Sequence, residues 1–202
     1  TNPVTPAVSR RQFLKASSLA AAGAAVVSFP NVLKAQGKPT FNAVIIGMGG
    51  RGGGAGNDFM EAVKITGVEG KIVATADAFP GQARRGKDAF GVPEDRCFGG
   101  LDSYEKALAV PGVNYAIIAT PPGFKAAQFK AAIAAGKHVF IEKPVAVDGP
   151  SARIMYAAGE EADKKGLKVA AGTQRRHRPS YIETVKRIQD GAIGDVIALR
   201  AY

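Results

Sequence analysis

A run of apolar residues, Ala43-Val44-Ile45-Ile46, feeds directly into Gly47-Met48-Gly49-Gly50-Arg51-Gly52, which fits G-x-G-x-x-G. The spacing alone is weak. With 25 glycines in 202 residues, about 0.4 such matches arise by chance. Its position behind an apolar run and ahead of a helical stretch is what constrains the fold. The first glycine permits a tight turn, the second lets a diphosphate approach the backbone, and the third lets helix pack on strand. The helix N-terminus then offers unpaired N–H groups and partial positive charge to the anion. Gly47, Met48, Gly49, Gly50, Arg51 and Gly52 are therefore candidate cofactor-binding positions.

The rest of the chain supports that frame. Strand-like runs recur at Phe41–Gly47, Lys71–Asp77, Val113–Thr120, His138–Glu142 and Lys168–Gly172, with helical stretches at Asn57–Ile65, Gly81–Phe90, Phe124–Ala135 and Ser151–Lys165 between them. Gly136 stands where the third helix needs a left-handed cap. Strands alternating with helices predict an α/β, Rossmann-type, doubly wound parallel sheet covered on both faces. Asp77 ends the second strand 25 positions past Gly52, close to the ~20 expected of the carboxylate that accepts the adenosine ribose hydroxyls. It would repel a 2′-phosphate, so NAD is the default expectation; Arg84 and Arg85 nearby keep NADP open. Mononucleotide or S-adenosylmethionine binding is the competing use of the same fold.

Composition removes other classes. One cysteine excludes a disulfide framework and a multi-thiolate metal centre built from this chain, and no metal is expected. No tryptophan and 7% aromatics argue against a base-stacking single-strand binder. The net charge of +10 would suggest nucleic acid or an anionic surface. Four of those charges, Arg10, Arg11, Lys15 and Lys34, lie in residues 1–35, which hold no acid. The remaining +6 over 167 residues carries no helix-turn-helix pattern, so no nucleic-acid partner is expected.

Residues 1–35 read as a basic region, an Ala-rich apolar stretch and a small-residue cleavage site. Ser9-Arg10-Arg11-Gln12-Phe13-Leu14-Lys15 resembles the twin-arginine export signal, which implies the export machinery as a partner and a periplasmic or otherwise exported location. The apolar stretch is shorter than the ~20 residues of a stable membrane span.

Downstream, Ala119-Thr120-Pro121-Pro122-Gly123, then Gly136-Lys137-His138-Val139-Phe140-Ile141-Glu142-Lys143-Pro144, then Gly172-Thr173-Gln174-Arg175-Arg176-His177-Arg178-Pro179-Ser180-Tyr181 follow in order. From about Phe41 to Tyr202 the chain thereby resembles the glucose–fructose oxidoreductase / inositol dehydrogenase family of NAD(P)-dependent enzymes. The resemblance implies that Thr120 and Pro121 flank the cofactor and that Glu142 and Lys143 line the nicotinamide end. Lys143 would be the catalytic group assisting a substrate hydroxyl proton. Lys143–Pro144 is a candidate cis peptide.

One position departs from the family: Lys125 stands where a histidine is frequent, and is expected at the substrate cleft, with a solvated lysine at a helix start as the plainer alternative. Arg175 and Arg176 are expected to contact cofactor or substrate oxygens in the cleft, with a solvated basic linker as their rival. Residues 36–173 thus form the dinucleotide-binding domain. Residues 174–202 open an α+β substrate and oligomerisation domain, with Val196–Tyr202 as its first strand. The sequence is expected to be a truncated piece of a longer protein that forms a homo-oligomer when full length. The implied activity is exported NAD(P)-dependent oxidation or reduction of a sugar or polyol. The alternatives are an NAD-dependent glycoside hydrolase of the same family and a non-catalytic dinucleotide-binding protein.

Overall fold

The computed structural model describes residues 39–200. The export-signal reading falls on residues outside that range. Six parallel strands form one sheet: β1 (Thr40–Ile46), β2 (Glu69–Asp77), β3 (Cys97–Gly99), β4 (Tyr115–Ile118), β5 (His138–Ile141) and β6 (Val169–Ala171). Their spatial order is β3-β2-β1-β4-β5-β6. The order reverses at β1, so the chain leaves β1 in one direction and β4 in the other. A crevice opens at the carboxyl ends between them.

Parallel strands need both faces covered, and β1 shows how the sequence provides this. Val44 and Ile46 enter one apolar cluster with Ile118, Phe129, Ile133 and Ile141. Ala43 and Ile45 point the other way, into a cluster with Met48, Ala55, Ile72, Val92 and Ile117. A continuous apolar run, rather than alternation, is what this placement requires.

Six helices accompany the sheet: α1 (Gly50–Thr66), α2 (Pro80–Phe90), α3 (Ser103–Leu108), α4 (Pro122–Ala134), α5 (Gly149–Lys164) and α6 (Pro179–Gln189). Asp148 starts α5 with a capping box: its carboxylate accepts from the Ser151 N–H at 2.7 Å, and its own N–H donates to the Ser151 hydroxyl at 3.1 Å. Gly136 takes φ 72° just past α4, as the cap there demands.

Helix α1 begins at Gly50, well before the expected Asn57. Glycines at 52, 53, 54 and 56 oppose a helix by propensity, but tertiary packing overrides it. A Cβ on Gly56 would stand 2.5 Å from Phe90 Cζ and 2.7 Å from Ile45 Cδ1. Of the four, Gly52 and Gly56 let α1 lie close against the sheet. Strand β3 and helices α3 and α6 were not anticipated. β3 is three residues long and pairs with β2 through Thr75↔Cys97, Ala76↔Phe98 and Asp77↔Gly99.

The strand expected at Val196–Tyr202 is corrected by the structure: residues 195–200 form no ladder, and Ala201 and Tyr202 lie outside the described residues. A strand exists through its pairing partners, and no strand pairs with this segment among the described residues. Helix α6 likewise buries no residue, and its Tyr181, Ile182 and Val185 are exposed. Among the described residues, no helix is long and apolar enough to cross a membrane.

Candidate functional site

The glycine loop turns at Gly47, whose φ of 92° is left-handed and whose Cβ, if present, would stand 2.7 Å from the Thr120 nitrogen. No side chain but hydrogen therefore fits between the ends of β1 and β4. Gly52 lies against Gly47 itself: a Cβ there would come within 1.8 Å of the Gly47 carbonyl oxygen. Gly49 and Gly50 are the opposite case, with nothing within 4 Å of the place a Cβ would take. Gly49 caps α1 without a side-chain hydrogen bond, and no acid sits in the first turn. The first N–H groups of a helix have no intrahelical acceptor, so this end offers bare donors to open space.

That space is a cleft of about 690 Å³ at the carboxyl ends of β1, β2 and β4. Gly47, Gly49, Gly50, Arg51, Asp77, Thr120 and Pro121 are among its lining residues. Asp77 serves the loop as well as the cleft. One carboxylate oxygen accepts the Met48 N–H at 2.8 Å and the other accepts the Phe79 N–H at 3.0 Å. Thr120 donates its hydroxyl to Gln128 Oε1 at 2.5 Å.

Phe79 and Leu101, both more than two-thirds exposed, form apolar parts of the wall together with Phe124. The sequence reading missed these three and the lining residues Gln82, Ser103 and Gln128. For Phe124 and Gln128 a signal exists, since a spacing of four puts them on one helix face. The residues present fit a dinucleotide: an open backbone cradle for a diphosphate, a carboxylate at the second strand's end, and apolar walls.

The other expected residues are placed differently. Met48 does not line the cleft; its side chain is buried in the core and its N–H is committed to Asp77. Gly52 is buried behind the loop, as a packing position. Arg51 reaches across the sheet's end, donating from Nε to Glu142 Oε1 at 2.7 Å and from Nη2 to Asp58 Oδ2 at 3.0 Å. Glu142, itself buried, is thereby held in a partly exposed ion pair, with Gly172 leaving it room: a Cβ on Gly172 would stand 2.6 Å from Oε1. Lys143 is exposed, and the Lys143–Pro144 peptide is cis. Arg175 and Arg176 lie exposed on a 3-10 turn, Gln174–His177, and the Arg175 guanidinium sits 5.7 Å from the Tyr181 ring centre. Neither arginine lines the cleft among the described residues.

The solvated alternative for Lys125 is excluded, since the residue is 2% exposed, and it is not among the residues lining the cleft described above. Its amine donates to the backbone carbonyls of Glu142 at 2.5 Å, Lys143 at 3.1 Å and Pro144 at 3.1 Å. Burial lowers its pKa, while the nearby Glu142 carboxylate works the other way.

Residues 41–173 match the model of an oxidoreductase family described as having an NAD-binding Rossmann fold. Among relatives, scyllo-inositol 2-dehydrogenase (NAD(+)) of Bacillus subtilis is 30% identical over 139 residues, 68% of this chain and 38% of that protein. A glycosyl hydrolase family 109 protein of Streptomyces coelicolor is 26% identical over 162 residues, 78% of this chain and 33% of that protein. The crystal structure of myo-inositol 2-dehydrogenase from Lactobacillus plantarum superposes with a TM-score of 0.66 at 24% identity. That match covers 79% of this chain and 44% of the other, and shows the shared fold. The chain thus spans less than half the length of these proteins. With the glycine loop, the strand order and the family match in agreement, the chain belongs to the glucose–fructose oxidoreductase, inositol dehydrogenase and MocA family of NAD-binding oxidoreductases.

Proposed function

We propose that the full-length protein is an exported oxidoreductase that acts on a CH–OH group of a sugar or polyol, with NAD as its cofactor. The observation that carries this reading is the open backbone cradle at Gly49 and Gly50 beside the Asp77 carboxylate, both facing the one cleft. Bound nicotinamide would supply the two-electron acceptor or donor for the carbinol carbon. The protein's own groups do the rest. The first N–H groups of α1 bind the diphosphate, and Asp77 retains lone pairs for ribose hydroxyls. Lys143 holds or moves the proton of the substrate hydroxyl. Thr120 and Pro121 wall the cofactor's path.

Preference for NAD over NADP is supported by the negative charge of Asp77 and by the neighbouring arginines. Arg84 lies 3.6 Å from Glu94, and Arg85 donates to Gln82 at 3.0 Å; neither lines the cleft. The likeness to inositol dehydrogenases supports a polyol or sugar substrate. The family 109 relative favours a second reading, a glycoside hydrolase that uses the same site without net turnover of cofactor. The twin-arginine motif supports export.

Calorimetry of the full-length protein with NAD and NADP, followed by a polyol and glycoside screen, tests the proposal. Stoichiometric NADH from a polyol is the expected result, and sugar release without NADH would favour the hydrolase. Absence of binding to either dinucleotide would refute both.

A further inference from the structure

We propose that Lys125 is a positioning residue that fixes the turn carrying Glu142 and Lys143, by presenting one N–H to each of three successive backbone carbonyls. The inference rests on the assignment of Lys143 to the substrate proton in the proposed function.

Lys125 occupies the first turn of α4, which begins at Pro122. A cation there opposes the helix dipole, and a buried cation loses its hydration. Both effects disfavour the residue, so its presence requires compensation. The turn supplies that compensation: an ammonium has three donors, and the carbonyls of Glu142, Lys143 and Pro144 take all three. Because the carbonyls are consecutive, they converge on one point in one backbone conformation. The amine therefore selects that conformation, and with it the directions in which residues 142 and 143 leave the chain.

The Glu142 side chain is pinned independently by Arg51. Lys143 is exposed, and its amine makes no hydrogen bond among the described residues. Its placement thus depends on its backbone. An imidazole, with at most two N–H groups, could not satisfy three carbonyls, which gives a physical account of the lysine where the family frequently has histidine.

The test compares Lys125→Met, which keeps an apolar stem of similar length and removes every donor, with Lys125→Gln, which keeps an amide donor. Three readouts are taken on the full-length protein. Backbone amide exchange over residues 141–147 is expected to quicken at least tenfold in Lys125→Met and less in Lys125→Gln, with the strands β1 and β4 unchanged. Calorimetric Kd for NAD is expected to stay within about threefold, because the diphosphate cradle is on α1. With a polyol substrate, kcat is expected to fall at least tenfold and to recover partly in Lys125→Gln.

Wild-type exchange over 141–147 in both variants would overturn the proposal. So would exchange that rises uniformly through the sheet, as a merely structural role predicts. An unfolded Lys125→Met leaves Lys125→Gln to decide by the same local exchange. Failure of the wild-type protein to bind NAD would refute the proposed function while leaving the exchange result to judge the turn.

Discussion

Two glycines two positions apart in the loop should respond to the same substitution with opposite signs. Gly50 is exposed at the first position of α1, with nothing within 4 Å of a would-be Cβ. Alanine there gains helix propensity, about 0.5–1 kcal/mol, so Gly50→Ala should raise Tm by roughly 1–4 °C in a body of this size. Gly52 is buried, and its Cβ would stand 1.8 Å from the Gly47 oxygen. A relaxed carbon–oxygen contact needs about 3.3 Å, so helix and loop must part by roughly 1.5 Å. Overpacking of that size costs about 1–3 kcal/mol, or roughly 2–12 °C in Tm.

Both variants should bind dinucleotide more weakly. In Gly50→Ala the methyl stands in the cradle, and losing one hydrogen bond to a charged group, about 1.5–3 kcal/mol, raises Kd roughly 10- to 150-fold. Differential scanning calorimetry on the apo protein and titration with NAD read the two effects separately. A Gly50→Ala protein with wild-type Kd, or a Gly52→Ala protein with wild-type Tm, would refute the division of labour argued from the loop geometry.

Phe129 is 2% exposed in the larger apolar cluster, and Phe129→Ala should cost about 3–5 kcal/mol in urea unfolding; a loss below 1 kcal/mol would contradict that packing. Asp77→Asn removes the charge that faces the cleft while keeping an acceptor for Met48 or Phe79. The ratio of NAD to NADP affinity, measured by calorimetry, should shift toward NADP by roughly tenfold or more, about 1.4 kcal/mol, and an unchanged ratio would remove Asp77 from cofactor selection. Lys137 donates to the Val113 carbonyl at 2.7 Å, and burial lowers its pKa from 10.5. The unfolded chain then binds more protons between the lowered value and 10.5, so this residue's contribution to stability rises with pH in that window. Lys137→Met should flatten the rise in urea midpoint as pH approaches 10.5, and an unaltered slope would speak against the burial effect.

The legible parts of the fold were those written locally. Val44-Ile45-Ile46 is apolar on both faces, and a strand in the middle of a parallel sheet needs that. The loop glycines and Asp77 announced a cleft at the end of β1 and β2, and the cleft lies there. Less legible were features set by distant partners. Helix α1 starts through a glycine-rich stretch that propensity alone would leave as loop, because Phe90 and Ile45 press against Gly56. The ion pair of Arg51 with Glu142 joins residues 91 positions apart, and nothing near either one predicts it. The burial of Lys125 was not legible, because the sequence shows a charge at a helix start, and charge there ordinarily means solvent. Its three acceptors are backbone carbonyls, which any residue types could supply. Phe79 and Leu101 were invisible as site residues because isolated exposed apolar side chains are common on any surface.

The double grip of Asp77 on the Met48 and Phe79 amides has a consequence for anyone redesigning coenzyme choice. The same carboxylate that would discriminate between nucleotides also staples the exit of one strand to the exit of its neighbour. A single swap at residue 77 therefore trades selectivity against rigidity. A successful switch would keep two acceptors in that spot, or supply a replacement staple elsewhere, before introducing any cation for a phosphorylated ribose.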